Sequence, residues 1–338
     1  MQTASIFRLA AARAGVRPVP LSLGFELTHL CNLACHYCDR HTPLPNEMTL
    51  PQVLRVLAEF YALGTRHVSL DGGEPLAHRD VDEVVLFLRA LGVRVYMNTN
   101  GILIPKKLST VKRLQKVKIS LDGPPPQHDA MRGAGSFDKA VRGAIAARDA
   151  GVAVELTCVV GTHNADHLDA LVGVVEELAL TIVFQPARNS LFLDSDRDGS
   201  DYQLEPQRLQ AAFARLEQLK RRSAAVGNRW SSLRHFRHFP ADKEPPCAAG
   251  WINATLDPEG YLFHCALVSR REKVNNVLEL GVERAFEGLT RNGCGQCWCA
   301  RVVEENYAWG GRVDTLVPAR PRTPSATPPE RRRLPVVG

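Results

Sequence analysis

The sequence predicts an α/β protein: a partial (β/α)6 barrel of the TIM type, then a small cysteine-rich domain and a disordered basic tail. Two observations lead to this fold class. Over residues 1–190 an extended apolar segment is followed by an amphipathic one six times, which is typical of parallel strands joined by right-handed helical crossovers. The cysteines also gather in two groups, one after the first predicted strand and one beyond residue 246.

The six predicted strands are short runs rich in β-branched and aromatic residues. They cover residues 23–30, 67–72, 93–100, 117–123, 152–160 and 181–187. The first predicted helix follows Thr49, a suitable N-cap, and has Pro51 in its first turn, as helix starts commonly do. The remaining helices are predicted over 80–92, 104–114, 136–150 and 165–178.

A bridging helical segment is predicted over residues 191–246. Within it, residues 203–227 predict one long helix. The stretch RWSSLRHFRHFP, residues 229–240, is aromatic and basic. We interpret this stretch as an ordinary surface segment. If it instead lines a substrate site, its basic side chains favour an anionic substrate group.

Charge and hydropathy exclude several classes of partner. From residue 320 onward, five arginines face one glutamate, so the tail carries most of the net charge of +6. Residues 317–338 are Pro-rich and predicted to be disordered, and no nucleic-acid partner is expected. Residues 1–19 lack the apolar core of a signal peptide and predict a short helix or arm. With no apolar run long enough for a membrane span, a cytoplasmic location is expected.

The stretch CNLACHYC holds three cysteines, Cys31, Cys35 and Cys38, in a C-x3-C-x2-C pattern. A reducing compartment favours metal sites over disulfides. Three thiolates are too few for a closed structural zinc site. They suffice to hold three irons of a [4Fe–4S] cube and leave the fourth iron open to an external ligand. Cys158, alone in an apolar run, is predicted to be a packed core thiol.

Polar and glycine-rich residues follow the predicted strands. The stretches are DGGEP (71–75), NTNG (98–101), SLDG (120–123) and FQPA (184–187). Each of them alone fits ordinary turn chemistry. The carboxyl ends of parallel strands meet on one rim, where such folds place their active sites. Together the stretches therefore predict a single site.

CNLACHYC resembles the cluster motif of the radical S-adenosylmethionine (SAM) superfamily, with Tyr37 as its aromatic residue. GGEP and SLDG follow in the order found in that superfamily, and the resemblance covers residues 20–190. It implies that Cys31, Cys35 and Cys38 hold a [4Fe–4S] cluster whose open iron binds SAM. It further implies reductive cleavage of SAM to methionine and a 5′-deoxyadenosyl radical, which takes a hydrogen atom from the substrate.

The same resemblance implies which residues contact SAM. Gly72, Gly73 and Glu74 are expected at the methionine amino group, and Arg132 near its carboxylate. Ser120 and Asp122 are expected near the ribose. The other expected contacts are Tyr37 at the adenine, Asn98 at its strand end, and Val160 and Ala187 along the adenine. For Val160 and Ala187, plain barrel packing is an equal alternative.

The second cysteine group begins with Cys247 and Cys265, which flank a hairpin signal, DPEG. Cys294, Cys297 and Cys299 follow. Four thiolates suit zinc or a second iron–sulfur cluster. The spacing, with Gly260 and the stretch 274–280, resembles the Twitch domain, a shortened SPASM domain. That resemblance implies one auxiliary [4Fe–4S] cluster held by Cys247, Cys265, Cys294 and Cys297. Three roles are then open for Cys299. It replaces Cys297 as a cluster ligand, it lies near the cluster as a spare thiol, or it donates a hydrogen atom to a radical.

The expected organisation is an N-terminal arm (1–19), a radical SAM partial barrel (20–190), the bridge (191–246), a Twitch/SPASM-like domain (247–316) and the tail (317–338). The expected activity is oxidation or C–C bond formation on a small sugar, nucleotide or cyclitol, with the auxiliary cluster transferring electrons. A flavodoxin- or ferredoxin-type protein is the expected electron donor.

Three alternatives stay open at this point. One is a peptide-modifying radical SAM maturase. Another is a zinc-dependent RNA-modifying enzyme, which metal content would distinguish because it would hold zinc without iron. The last is a metal sensor or scaffold, which would not need the GGEP and SLDG stretches.

Overall fold

The computed structural model describes residue 12 and residues 17–188, 198–239, 246–268, 273–289 and 297–311. Within these residues, eight strands form one sheet in the order β6-β5-β4-β3-β2-β1-β7-β8. The basic tail, most of the N-terminal arm and Cys294 lie outside the described residues.

The six predicted strands are confirmed, and each pairs in parallel with the next. Their bounds are β1 (Ser22–Thr28), β2 (His67–Gly72), β3 (Arg94–Thr99), β4 (Lys116–Ser120), β5 (Val154–Val160) and β6 (Ile182–Pro186). The sheet therefore has the α/β architecture that the periodicity predicts. Because β6 is an edge of the sheet, the six units form an open arrangement, as a partial barrel requires.

Helices connect these strands. They are α1 (Leu50–Leu63), α2 (Val81–Ala90), α3 (Leu108–Val111), α4 (Pro125–Arg132), α5 (Ser136–Asp149) and α6 (Leu168–Glu177). The predicted helix 104–114 is shorter than expected. It begins as a 3-10 turn, Ile104–Lys107, with Pro105 at its start, and only α3 is α-helical. The sequence pattern did not predict α4.

The sheet has one apolar and one polar face. Leu23, Phe25, Val95 and Met97 are fully buried in the core between the sheet and the helices. On the opposite face one polar residue stands on each of five neighbouring strands. In strand order they are Glu26, Asp71, Asn98, Lys118 and Glu155, and the register pairs Glu26 with Asp71, Asn98 with Lys118, and Lys118 with Glu155. Branched apolar residues usually fill the inside of a TIM barrel. The polar face, which carries these five residues, is the inner face of the partial barrel. The inside of this barrel is therefore hydrophilic instead.

The predicted hairpin is confirmed, and it extends the same sheet. Strand β7 (Asn253–Leu256) pairs in parallel with β1, and β8 (Leu262–Phe263) returns antiparallel to it. The Asp257 carboxylate accepts the backbone N–H groups of Glu259 and Tyr261, and Gly260 has a φ of 89°. These contacts are those of a tight turn. The cysteine-rich segment is thus joined to the barrel sheet through β1.

The bridge contains two packed helices. The predicted long helix is α7 (Pro206–Arg222). The stretch 229–240, which we interpreted as an ordinary surface segment, forms helix α8 (Trp230–Arg237), so that interpretation is wrong. Phe236 is fully buried, and its ring lies 5.3 Å from that of Phe213 in α7. Leu233 and Phe236 stand one turn apart, which gives α8 an apolar face that must pack.

The C-terminal segment adds α9 (Val277–Leu280), α10 (Val282–Glu287) and α11 (Ala300–Trp309). Helix α11 contacts both sides of the open sheet. The backbone N–H of Ala300 donates to Gln185 of β6, and Asn253 of β7 donates to Glu305. None of the helices described in this chain is both long and apolar enough to cross a bilayer.

Candidate active site

The three cysteines of CNLACHYC lie in the loop that leaves β1 at the carboxyl rim of the sheet. All three are half-buried. Burial raises the pKa of Cys31 to about 11; the Leu33 N–H opposes this shift, and Cys35 and Cys38 add to it. Burial also raises the pKa of Cys35. Thiolates this close repel one another, so each raises the pKa of its neighbours. A cationic metal group would offset this repulsion and stabilise all of the thiolates.

No three His, Cys, Asp or Glu side chains among the described residues close around a single metal ion. An iron–sulfur cube does not require such a closure, because each thiolate binds a different iron. Three half-buried thiols on one loop match the donor set of a cluster with one open iron.

Asn100, at the end of β3, ties the cysteine loop to the rim. Its side-chain amide donates to Asn32 at 2.8 Å and lies 3.9 Å from the Cys31 sulfur. Its backbone N–H donates to Glu74 at 2.8 Å. Asn100 stands in the NTNG stretch, but nothing in the sequence pattern predicted the contact with the loop, which spans 68 residues of chain.

The GGEP stretch packs against the start of the cysteine loop. Gly73 donates to the Thr28 carbonyl at 2.8 Å, and a Cβ on Gly73 would lie only 2.5 Å from the Leu30 carbonyl oxygen. Gly72 has a φ of 124°, which favours glycine. This close backbone approach explains why both positions lack a side chain.

Glu74 is fully buried and points into the protein. Its carboxylate accepts hydrogen bonds from the Thr99 hydroxyl and from the backbone N–H groups of Leu76 and Asn100. Burial raises its pKa, and these donors oppose the rise. The side chain of Glu74 thus joins the ends of β2 and β3, while the backbone of this stretch faces the rim.

Tyr37, Asp122 and Arg132 converge from the cysteine loop, the end of β4 and α4. The Tyr37 hydroxyl donates to Asp122. Arg132 Nε donates to Asp122 at 2.6 Å, and the guanidinium lies 5.5 Å from the centre of the Tyr37 ring. Burial opposes the charge on Asp122, but Arg132 and its other partners hold the pKa of Asp122 below its usual value. Three predicted SAM contacts therefore form one charged cluster beside Cys35 and Cys38.

A residue that the sequence analysis missed holds this cluster to β5. Asn164 is almost fully buried, and its amide donates to the carbonyls of Asp122, at 2.5 Å, and Val159, at 2.8 Å. The same amide lies 3.4 Å from the sulfur of Cys158, which is fully buried as predicted. The N–H of Val159 completes the arrangement by donating to Asp122.

The other predicted contacts stand at different positions of the sheet. Asn98 stands on the inner face of the sheet, where its amide donates to Asp71. Ser120 is half-buried opposite Thr157. Val160 is fully buried in the apolar core, and its carbonyl accepts the N–H of Ala187 at 2.8 Å. The side chain of Val160 therefore has a packing role.

Three described thiols of the second cysteine group influence one another. Burial raises the pKa of Cys265 to about 12, and the neighbouring thiols of Cys299 and Cys247 add to the rise. The sulfur of Cys297 is 3.5 Å from the amide of Asn306, and the residue packs against the apolar core. The amide oxygen of Asn306 also accepts the N–H of Ala248, next to Cys247.

Comparison with known proteins identifies the family. The model of the radical SAM superfamily matches residues 25–174. The mycofactocin maturase MftC of Mycobacterium ulcerans is 30% identical over 288 residues, which cover 81% of this chain and 75% of that protein. The MftC of Mycolicibacterium smegmatis is 30% identical over 73% of this chain, and this chain spans 64% of the length of that protein. The AdoMet-dependent heme synthase of Oleidesulfovibrio alaskensis is 30% identical over 46% of this chain and 42% of its own length.

A solved structure agrees on the fold. Streptococcus suis SuiB bound to S-adenosylmethionine superposes with a TM-score of 0.67 over 83% of this chain and 69% of SuiB, at 15% sequence identity. With the cysteine loop, the polar rim and the parallel sheet described above, these matches show that the chain belongs to the radical SAM superfamily.

Proposed function

We propose that this protein cleaves SAM reductively and directs the resulting 5′-deoxyadenosyl radical at a substrate on the inner face of the sheet. The observation that carries the proposal is the convergence of the three-cysteine loop with Tyr37, Asp122 and Arg132 on one rim. A cluster bound by Cys31, Cys35 and Cys38 would supply an open iron for SAM and the electron that breaks its S–C5′ bond.

The residues around that loop would then bind and orient SAM. Arg132 would shift from Asp122 toward the carboxylate of the methionine moiety, because a guanidinium pairs with either carboxylate in the same way. Asp122 and Ser120 would meet the ribose, and Tyr37 the adenine. Gly72 and Gly73 would offer backbone groups to the amino group of SAM. The proposed SAM site thus lies within residues 20–190.

The polar inner face supports a small hydrophilic substrate as our first choice. Asp71, Asn98, Lys118 and Glu155 offer donors and acceptors beneath the rim. A sugar, nucleotide or cyclitol carries the matching groups, and its reaction would be an oxidation or a C–C bond formation.

The relatives favour a second candidate equally. Two of them are described as maturases of mycofactocin, and SuiB has been solved bound to a precursor peptide. We therefore retain peptide modification as the alternative. A peptide substrate would have to place one side chain on the polar inner face and the rest outside the sheet.

We further propose that residues 247–316 carry an auxiliary [4Fe–4S] cluster and that a flavodoxin- or ferredoxin-type protein supplies electrons. The influence of Cys247 and Cys299 on the pKa of Cys265 supports the cluster site. Cys294 would complete it, together with either Cys297 or Cys299.

The test is iron and sulfide content after anaerobic reconstitution, combined with the yield of 5′-deoxyadenosine from SAM and dithionite. We expect about eight irons in the wild type and about four in a C31A/C35A/C38A variant, since each cube holds four. The triple variant should form no 5′-deoxyadenosine. Cys158→Ala is the matched control, because that thiol belongs to neither group and should leave both readouts unchanged.

Two outcomes would contradict these proposals. About four irons in the wild type and none in the triple variant would remove the auxiliary cluster. If the protein binds zinc and no iron, the proposed radical chemistry is contradicted and the zinc-dependent alternative is favoured.

A further inference from the structure

Gly24, in the middle of β1, leaves a gap on the inner face of the sheet. Its φ lies outside the range that favours glycine, so the backbone does not require glycine here. A Cβ at this position would lie 3.3 Å from the Thr255 hydroxyl and 3.7 Å from Asp71 Oδ2. A methyl group here would press on Thr255, so the missing side chain leaves only a small space beside one carboxylate oxygen of Asp71.

The two oxygens of Asp71 have different surroundings. Oδ1 accepts the Asn98 amide and the Ser69 hydroxyl, the latter at 3.3 Å. Oδ2 receives no hydrogen bond from any residue that the structure describes, and it is not among the fully buried polar atoms. Asp71 is thus anchored through one oxygen and presents the other to the gap beside Gly24.

The charges and the space around Asp71 bear on which donor that oxygen would accept. Burial raises the pKa of Asp71 and is the dominant cause; Glu26 adds to the rise, whereas the cations Arg301 and Lys118 oppose it. Lys118 also lies 3.6 Å from Glu155. The space beside Oδ2 is tight even for a methyl group, so a hydroxyl oxygen fits it better than an ammonium group, which is as large as a methyl group. The matching neutral donor on a small polar molecule is a hydroxyl group.

We infer that Asp71 Oδ2, in the gap beside Gly24, binds a substrate hydroxyl and selects hydroxylated substrates. This inference rests on the proposed function, because it concerns the substrate of the same site. Asp71 stands near the end of β2, two residues before Gly73, so the hydroxyl would lie about 7 Å beneath the rim. That depth suits a compact polyol or sugar whose neighbouring C–H bond faces the SAM site.

The experiment uses glycerol deuterated at carbon as the smallest polyol probe. The reconstituted enzyme is incubated with SAM, dithionite and increasing labelled glycerol, and the deuterated fraction of the 5′-deoxyadenosine is measured by mass spectrometry. We expect a fraction that rises and saturates in the wild type. Dividing by total 5′-deoxyadenosine removes any change in the rate of SAM cleavage.

Two variants test the proposed site, one at the acceptor oxygen of Asp71 and one at the space beside Gly24. Asp71→Asn keeps the Oδ1 acceptor for Asn98 and replaces Oδ2 with a donor, so we expect the labelled fraction at low glycerol to fall at least about fivefold, as for a lost hydrogen bond to a charged acceptor. Gly24→Ala adds only a methyl group beside Oδ2 and should also lower the fraction.

Matched controls exist for both substitutions. Asp138→Asn makes the same change on an exposed position of α5, and Gly173→Ala adds a methyl group in α6 where no atom lies within 4 Å. Both should match the wild type. Circular dichroism confirms that each variant is folded.

The outcomes separate this inference from the proposed function. Saturable labelling that both D71N and G24A leave unchanged would overturn the role of Asp71, and so would wild-type labelling that never saturates or never appears. If the wild type forms no 5′-deoxyadenosine at all, the proposed function fails, and the inference that rests on it fails as well.

Discussion

At the scale of single residues, Asp122 connects the segments that form the rim of the site. Its side chain joins the cysteine loop through Tyr37, α4 through Arg132, and β5 through the Val159 N–H. Its carbonyl is held by Asn164. One buried carboxylate therefore fixes three segments that are far apart in sequence, and its ionised state is the one that all of these donors favour.

Asp122→Asn should lower the free energy of unfolding of the apo protein by about 3 kcal/mol at neutral pH, because it leaves Arg132 buried without its anion. The pKa of Asp122 is lowered in the fold, so the stability that its charge contributes is present above the ordinary value of 3.8 and is lost as the pH falls through the lowered value. The difference between wild type and variant should stay constant from pH 7 to 5 and shrink below pH 4. Urea unfolding at several pH values measures it, and a difference that grows in acid would contradict this account.

The auxiliary cysteines give a second prediction at this scale. Cys299 and Cys247 interact with Cys265, whereas the sulfur of Cys297 is 3.5 Å from the Asn306 amide. We therefore expect Cys299→Ala to reduce the iron content from about eight to about four per chain, while Cys297→Ala keeps about eight. The opposite result would mean that the C-x2-C pair, Cys294 and Cys297, forms the ligand set.

At the scale of elements, α8 shows how tertiary packing decides the role of an aromatic, basic segment. Arg234 and His238 are exposed, while Phe236 is buried against Phe213 of α7. The ring of His235 lies near those of Phe236 and Phe239, and its Nε2 is 2.5 Å from the carbonyl oxygen of Cys297. Helix α8 is therefore a link between α7 and the auxiliary cysteines.

Phe236→Ala should cost about 3–5 kcal/mol of folding free energy, the usual range for a large buried aromatic side chain. Arg234→Ala, on the exposed side of the same helix, should change it by less than about 0.5 kcal/mol. Chemical denaturation of the apo protein provides the measurement. A small effect of F236A would show that α8 is not part of the core.

At the scale of the whole molecule, one apolar core runs from the six-unit sheet into the C-terminal segment. It includes Phe25 of β1 and also Phe286, Trp298 and Val303. Strand β7 pairs with β1, and the N–H of Val282 donates to Glu59 of α1 at 3.1 Å. The cysteine-rich segment and the barrel should therefore behave as one cooperative unit.

The tryptophans allow a direct test. All four, Trp230, Trp251, Trp298 and Trp309, lie in the C-terminal third of the chain. Their fluorescence reports on that part alone, whereas far-ultraviolet circular dichroism reports chiefly on the helices of the whole chain. We expect the two urea transitions of the apo protein to coincide, as for a two-state unit. Separate midpoints would indicate independently folding domains.

Local patterns in the sequence determined the α/β class, the six strands and the cysteine loop, because strand and helix periodicity and the C-x3-C-x2-C spacing are properties of neighbouring residues. The resemblance to the radical SAM superfamily predicted Tyr37, Asp122 and Arg132 as SAM contacts, and the strand periodicity predicted that the carboxyl ends of the strands meet on one rim. The burial of Cys158 followed from its apolar run in the same way.

Only the tertiary structure decided the contacts that join distant segments. Asn164 reaches Asp122 across 42 residues, and β7 adds to β1 more than 200 residues after it. The space at Gly24 is bounded by Asp71 and Thr255, which lie on the two neighbouring strands, so the sequence around Gly24 alone does not reveal it. Such contacts depend on strand order and register, and a register shift of one residue would turn every one of these side chains to the opposite face. That choice is made by the packing of the complete sheet against its helices, which no single segment encodes.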